Sequence, residues 1–412
     1  MTRHILHSDL NAFYASVEMV MHPELEGSAV AVCGSVEDRH GIVLAKSELA
    51  KKAGVKTGMA VWQAKSCCPN LVVVPPHYHH YMTFSKLVRD IYYRYTDQIE
   101  PFGMDECWLD VTGSVRKFGT PEEIAHLIRQ AVKEELGLTV SVGVSFNKVF
   151  AKLGSDLKKP DAVTVILEDN FREIVWPLDV TELLYVGRAT AKKLYTLGIR
   201  TIGQLAEMKE EVLRRVFGLN GSLLWLYANG KESSRVLWAG ETIPIKSVGH
   251  GTTCNCDLVT DDEVRRVMLE LCQDVGKRLQ EAGLVAHGIQ IDIKDTYLAS
   301  KQMMGPLPSP TRSRREIAEA AFKLYLKHYD GCRHIRAVTV RAIRLEKASE
   351  FTQLDYFGDT EKADKLRRLE AVTDSLADRF GAHVLLPADV LDNSKTQTKE
   401  TYMGVMPHSI GR

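Results

Sequence analysis

Apolar residues fall into two repeating patterns along the first part of the chain. Short runs, Ile5–Leu6, Ala29–Cys33 and Leu71–Val74, predict strands, and they alternate with segments whose apolar positions recur at helical spacing. The helices so predicted cover Ala12–Met21, a long stretch near Tyr78–Gln98, and Pro121–Leu136, whose Pro-Glu-Glu start suits a helix N-terminus. Through about residue 166 this is an α/β layout. Residues 170–235 read as helical throughout, with turns at Gly187, Gly198 and Gly218. A broken connector, Trp238–Lys246, leads to a strand (Ser247–Cys254), a helix (Asp261–Ala282), two strands (His287–Lys294 and near Gln302–Gly305), a helix (Arg312–Tyr329) and a strand (Ile335–Ile343). Strand–helix–strand twice over is the split βαβ arrangement. The tail carries one amphipathic helix, about Lys362–Phe380, and a polar end, Asn393–Thr401, expected to be mobile.

A length of 412 residues exceeds what one core organises, so roughly two to four domains are expected. Hydrophobic content of 45% and charged content of 26% fit a globular chain. The opening MTRHILHSDLNAF lacks the apolar core of a signal peptide, and no apolar run reaches membrane-spanning length, so a cytoplasmic protein without membrane contact is expected. The eight cysteines include no CxxC pair, which points to reduced, structural thiols rather than zinc ligands. A net charge of zero hides a division of labour. Residues 1–175 carry 19 Lys+Arg against 22 Asp+Glu, residues 176–240 carry 9 against 6, and residues 245–345 carry 16 against 12. The middle of the chain is therefore the better place for a phosphate backbone.

The candidate chemistry lies in two acidic motifs. His7-Ser8-Asp9-Leu10-Asn11-Ala12-Phe13-Tyr14 sets a carboxylate where an apolar strand gives way to a helix, and Asp105 and Glu106 stand side by side between apolar flanks. Successive residues of a regular strand face opposite sides. Both acids can serve one place only if the chain turns there, and Gly103-Met104 permits a hairpin. Three carboxylates gathered together repel unless cations neutralise them, and hard Mg²⁺ favours such oxygens. Two ions about 4 Å apart would activate an attacking hydroxyl and stabilise a leaving pyrophosphate. On its own, an Asp-Glu pair in a hairpin is more often an ordinary solvated turn.

Three motifs in order, HSDLNAFYASVE, GMDECWLD and SVGVSFNKVFAKLGSDLKKP, resemble the Y family of DNA polymerases, in its DNA polymerase IV branch; the resemblance covers roughly residues 1–345. It implies an α+β multidomain right hand: palm and fingers over 1–169 (fingers about 12–76), a helical thumb over 170–237, a linker over 238–246, a ferredoxin-like little finger over 247–345, and a tail over 346–412. The implied activity is template-directed, low-fidelity translesion synthesis by a monomer acting on primer–template DNA and dNTP. Asp9, Asp105 and Glu106 would be the catalytic acids and, with the Leu10 carbonyl, would hold two Mg²⁺, with Mn²⁺ a possible substitute. Phe13 and Tyr14 would lie at the nucleotide, Tyr14 as the steric gate against ribose, with the Phe13 ring packing in the core. Lys159 matches the lysine that contacts the β- and γ-phosphates. Lys148 and Lys152, one helical turn apart, join Lys158 and Lys159 on the basic side of the palm.

Tyr185–Gly203 looks like a helix-hairpin-helix, in which Gly187, Arg188 and Ala189 would present backbone amides to a DNA phosphate; an ordinary helix pair is the alternative. In the third unit Lys246, Ser247 and Arg341 are candidate DNA contacts, among further arginines at 312, 314, 315, 333, 336 and 344. Arg341 and Arg344, an odd number apart, cannot share one face of a regular strand. Gln353-Leu354-Asp355-Tyr356-Phe357 resembles the peptide by which bacterial polymerases hook to the sliding clamp, with Gln353, Leu354 and Phe357 as anchors. His77, His79 and His80 are expected to open the long palm helix rather than bind metal.

The sequence also departs from the family pattern. Gly103 replaces a usual Ser, Asn11 an acid, and the residues that normally grip the triphosphate, Thr, Tyr and Arg, fall on Ala45, Glu48 and Lys51. Lys51 keeps the charge without the bidentate fork. Two other classes compete: a palm-based nucleotidyl cyclase, which would need neither a hairpin-containing thumb nor a basic third domain, and a non-catalytic adaptor, which would not need all three acids.

Overall fold

A computed structural model describes residues 3–37, 39, 41–241, 243–331, 333–348, 360–381 and 385. The described residues form two compact units, one from Met1–Gly34 with Ile42–Ile243, the other from Ser35–Gly41 with the described residues after Ile243.

In the first unit, strand β1 (Ile5–Leu10) leads into helix α1 (Phe13–Met21). A small sheet then forms from β2 (Val30–Cys33), β3 (Val43–Lys46) and, after helices α2 (Glu48–Lys52) and α3 (Val61–Cys67), β4 (Val72–Val74). Helix α4 (Tyr78–Tyr92), strands β5 (Ile99–Pro101) and β6 (Glu106–Asp110), helices α5 (Val115–Phe118) and α6 (Pro121–Leu136), strand β7 (Val140–Ser145), helix α7 (Lys148–Leu157) and strand β8 (Val163–Val165) complete a five-stranded sheet in the order β5-β6-β1-β7-β8. The α6 bounds match those predicted, because its ends are fixed locally. The Thr120 hydroxyl accepts from Glu123 N, the Glu123 carboxylate accepts from Thr120 N, and Gly137 closes the helix at φ 66°. Helix α4 stops earlier than Gln98, where Thr96 turns away to donate to the Asp110 carbonyl.

The central strand β1 is buried along its whole length, and its two faces differ. Leu6 and Leu10 pack with Tyr81, Val88, Ile91 and Ile124, the α4 and α6 side. Ile5 packs with Trp108 and Ala151, the α7 side. Helix α7 lies close on β7 because Gly143 has no side chain.

The helical segment consists of α8 (Phe171–Val175), α9 (Arg188–Thr196), α10 (Ile202–Glu207), α11 (Glu210–Phe217) and α12 (Leu219–Ala228), around a core that includes Leu194, Ile202, Leu205 and Leu213.

In the second unit, β9 (Ser247–Leu258), α13 (Asp261–Glu281), β10 (Leu284–Asp295), β11 (Ser300–Thr311), α14 (Arg314–His328) and β12 (Ile335–Lys347) give an antiparallel sheet in the order β11-β10-β12-β9. This is the predicted split βαβ order. Strand β11 runs well beyond Gly305 through Pro306, Pro308 and Pro310. Proline cannot donate to a ladder, so such a strand is tolerable only at a sheet edge, where β11 lies. The core between sheet and helices holds Val267, Leu271, Ile289, Ile291, Ile317 and Val340. Helix α15 (Thr360–Phe380) docks on the start of α14: Glu370 accepts from Ser313 Oγ at 3.0 Å and Arg314 N at 3.1 Å, and Asp374 pairs with Arg314. Ser313 makes no cap of its own, so Glu370 satisfies an otherwise open helix end. The peptide Gln353–Phe357 and the polar end Asn393–Thr401 lie outside the described residues.

Gly143 gives the first test. A Cβ there would collide with the Ala151 carbonyl oxygen and stand 2.5 Å from Ser155 N, both backbone atoms of α7 that cannot swing aside. Gly143→Ala should destabilise by about 3 kcal/mol, the upper end of overpacking costs, and lower the melting temperature of the first unit by roughly 6 °C or more. A thermal melt within 1 to 2 °C of wild type, a span of about half a kcal/mol, would show that α7 can retreat freely.

Candidate active site

The register of the larger sheet brings the acids together. Asp9 on β1 is the direct cross-strand partner of Glu106 on β6, so the two carboxylates share a face. Asp105 precedes β6 in a hairpin whose Gly103 sits at φ 92°, and its carbonyl accepts from Leu10 N at 3.0 Å. The turn expected at Gly103-Met104 is what frees Asp105 from strand alternation. Ala12, at φ 49°, swings the chain from β1 into α1. Asn11 is structural: its Nδ2 donates to Ser141 Oγ and its Oδ1 accepts from Asp161 N, pinning the end of β1.

Charge is crowded here. Burial pushes the Asp9 carboxyl up to about 7, with repulsion from Glu106 and Asp105 adding to it against the pull of Lys159. Burial and the Glu106 charge raise Asp105 to about 6. Glu106 goes the other way: burial opposes its charge, but His7 and Lys152 outweigh that and hold it at about 2. Lys152 Nζ lies 2.5 Å from Glu106 Oε2, and Lys159 Nζ lies 2.8 Å from both Asp9 Oδ2 and Asp156 Oδ1. Lys159 stays protonated because these two acids outweigh its burial. Lys148 belongs elsewhere. It is buried, and it donates to Glu100 Oε2 at 2.6 Å and to the Arg235 carbonyl. That makes Lys148 a structural tie rather than part of a basic face.

His7 was not singled out by sequence reasoning. Its ring is fully buried, with Nδ1 2.8 Å from Ser155 Oγ and Nε2 3.3 Å from Glu106 Oε2. The signal was available: His7 lies two residues before Asp9 on one strand, hence on the same face.

Phe13 is buried in the core, so only its backbone can approach a ligand. Tyr14 is half-buried; its hydroxyl lies 3.5 Å from Met104 Sδ, beside Asp105. Burial, Tyr78 and the Asp105 charge push its phenol up to about 12.

The other predicted contacts are placed as follows. Gly187, Arg188 and Ala189 are exposed at the start of α9, where Gly187 provides no side-chain cap. In the second unit Arg341 pairs across strands with Gly249, two residues from Ser247, on the sheet face away from buried Val248. Lys246 is exposed just before β9. Arg344 sits at φ 54°, so the strand is irregular there, and it and Arg341 are both exposed. Arg314, Arg315 and Arg333 are engaged by Asp374, Glu319 and Asp295. On α2, Lys51 Nζ lies 3.5 Å from Glu48, so the lysine is partly neutralised by the residue that replaces the usual tyrosine. His77 precedes α4, as expected, with its Nδ1 3.1 Å from Glu18. No described helix is long and apolar enough to cross a membrane.

Acids at the ends of two inner strands of a sheet, a helical segment with an exposed amide end and a split βαβ unit together describe a nucleic-acid polymerase of the right-hand type. The sequence matches the impB/mucB/samB family over residues 8–156, that family's helix-hairpin-helix motif over 168–199 and its C-terminal domain over 245–356. The chain is 49% identical to DNA polymerase IV of Acetivibrio thermocellus, over 92% of this chain and 96% of that one. It is 36% identical to DNA polymerase IV 1 of Bacillus subtilis, over 97% and 96%. A solved Y-family DNA polymerase chimera superposes with a TM-score of 0.75 at 25% identity, covering 84% of this chain and 99% of the other. The chain therefore belongs to the Y family of DNA polymerases, in its DNA polymerase IV branch. It is a DNA-directed DNA polymerase, which removes the cyclase and adaptor readings.

Proposed function

We propose that the chain performs low-fidelity translesion synthesis, joining a deoxynucleotide to a primer 3′-hydroxyl, with Asp9, Asp105 and Glu106 holding two Mg²⁺ and the Leu10 carbonyl assisting. The observation that carries this is the pairing of Asp9 with Glu106 across β1 and β6, with Asp105 tied to the same strand end. Among the described residues no three His, Cys, Asp or Glu side chains close on one point as they stand. The donor set nevertheless fits a hard divalent cation, because two of its three carboxylates are pushed up by burial and mutual repulsion that such a cation would relieve. When bound, the metal supplies Lewis acidity at the phosphate and a more acidic primer hydroxyl. The protein's own part is to aim the donors: Lys152 fixes Glu106, beside which the His7 ring stands at 3.3 Å, and Lys159 offers a positive charge at Asp9 that an incoming triphosphate can share. The exposed amides at Gly187–Ala189 and the open sheet face with Lys246, Ser247 and Arg341 would grip the DNA backbone without reading sequence. The protein would act in the cytoplasm as a monomer, with palm and fingers over 1–169, thumb over 170–237 and little finger over 247–345.

Asp105→Ala or Asp9→Asn should abolish primer extension and leave primer–template affinity near wild type, since phosphate contacts dominate binding. Extension above about a hundredth of wild type, a barrier change under roughly 2.7 kcal/mol, would remove these acids from metal binding.

The motif Gln353-Leu354-Asp355-Tyr356-Phe357 supports docking to a sliding clamp. Replacing Gln353, Leu354 and Phe357 with Ala should abolish stimulation by the clamp while unassisted extension continues; stimulation that survives refutes the docking role.

Sugar choice rests on Tyr14. An added 2′-hydroxyl is hard to reject by hydrogen bonding, so a wall beneath the sugar is the direct solution. Tyr14→Ala should raise ribonucleotide use at least tenfold relative to deoxynucleotide, or roughly 1.4 kcal/mol of lost discrimination. Phe13→Ala should mainly lower stability. Single-nucleotide incorporation by both variants decides the assignment, and unchanged sugar selectivity in Tyr14→Ala would overturn it.

A further inference from the structure

Behind Tyr14 stands a second layer of residues with no part in metal or phosphate chemistry. Tyr14 and Glu18 lie one helical turn apart on α1, and Tyr78 and Tyr81 one turn apart on α4. The rings of Tyr14 and Tyr81 are stacked, 4.2 Å between centroids and 9° from parallel. Tyr78 meets Tyr14 edge-on at 5.6 Å and Tyr81 edge-on at 5.5 Å, so it flanks the stacked pair. Tyr81 is fully buried, and its hydroxyl is held twice: it donates to Glu18 Oε1 and accepts from His77 N at 3.0 Å. Glu18 is itself 1% exposed, an unusual place for a carboxylate, and its remaining polar contact is His77 Nδ1 at 3.1 Å from each oxygen. Among the described residues the Tyr14 hydroxyl, by contrast, has a weak sulfur partner, Met104 Sδ at 3.5 Å. What fixes the Tyr14 ring is therefore the plate behind it, and what fixes the plate is Glu18.

We propose that Tyr81 and Glu18 are specificity-determining positioning residues for sugar selection: Tyr81 is the rigid backing that keeps the Tyr14 ring from yielding to a 2′-hydroxyl, and Glu18 anchors Tyr81. This rests on the reading of Tyr14 as the gate. A steric wall rejects a ligand only as strongly as it resists displacement. A shift of the ring by about one ångström would make room for a hydroxyl, and close packing against an immobile neighbour is what prevents it. Stacking on a flat aromatic restrains the ring along its normal, whereas an aliphatic side chain of similar volume would let it tilt. Glu18 thus has a use that its burial alone does not explain.

The test is single-nucleotide incorporation of matched deoxy- and ribonucleotides by the full chain on primer–template DNA. Tyr81→Phe keeps the ring and frees it from both hydroxyl bonds; Glu18→Ala removes the anchor; Tyr81→Leu removes the plate. Each should raise the ribose-to-deoxyribose ratio of kcat/KM, by about twofold to threefold for Tyr81→Phe and by at least threefold for the other two, chiefly through ribonucleotide KM. In a Tyr14→Ala background none of them should raise the ratio further, because their effect passes through the Tyr14 ring. A role confined to stability would lower the melting temperature and leave the ratio unchanged, and that result in Tyr81→Phe, the smallest of the three changes, together with Glu18→Ala would overturn the proposal. If Tyr14→Ala alone leaves sugar choice intact, the gate reading itself fails. If Tyr14→Ala opens the gate while the other variants do not, only the backing role is lost.

Discussion

Three carboxylates held within reach of one another at the end of a buried strand are a standing electrostatic cost, and much of the first unit can be read as the means of bearing it. The cross-strand pairing of Asp9 with Glu106 is fixed by the β1–β6 ladder, which cannot slip by one residue without moving Ile5, His7 and Asp9 to the wrong face. The ladder in turn depends on α7 lying close over β7, because Lys152 and Ser155 reach Glu106 and His7 from that helix. A lysine on each outer acid offsets part of that cost, while burial, with repulsion added to it, still raises Asp9 and Asp105.

The fold was legible wherever local chemistry decided it. Helix α6 carries both its caps in its own sequence, and the second unit showed its strand and helix order through periodicity alone. Boundaries failed where tertiary position decided. Strand β11 continues through three prolines because it is an edge, a fact that depends on which strands flank it and is invisible in the strand's own residues. Helix α4 ends at Tyr92 although the apolar pattern continues, because Thr96 bonds across to β6.

The site was legible as a set of acids, less so as a set of roles. Asp9, Asp105 and Glu106 stood out by type and flanks, and the need for a turn at Gly103 followed from strand geometry. Lysines were harder to assign, since a lysine on a helix face looks the same whether it meets solvent, a buried acid or a ligand. Lys148 proves to be tied to Glu100, while Lys152, one turn away, meets Glu106. Only the packing of α7 separates them. His7 and Tyr81 were harder to see because each touches a candidate residue, Glu106 or Tyr14, rather than being one.

The substituted fingers residues fit this division between acting and supporting groups. Glu48 and Lys51 face each other on one turn of α2, so a side chain that elsewhere donates to a phosphate is replaced here by one that restrains the neighbouring lysine. An exposed pair at this spacing contributes roughly 0.2–0.5 kcal/mol, too little to hold Lys51 against the larger charge of a triphosphate. A single ammonium without a tyrosine hydroxyl or a guanidinium fork still gives fewer directional bonds. Under the proposed reading, more of the nucleotide's placement would fall to the groups on the palm side, to the acids, Lys159 and the Tyr14 ring. A polymerase that positioned its substrate from below in this way would have the more reason to keep that ring immobile.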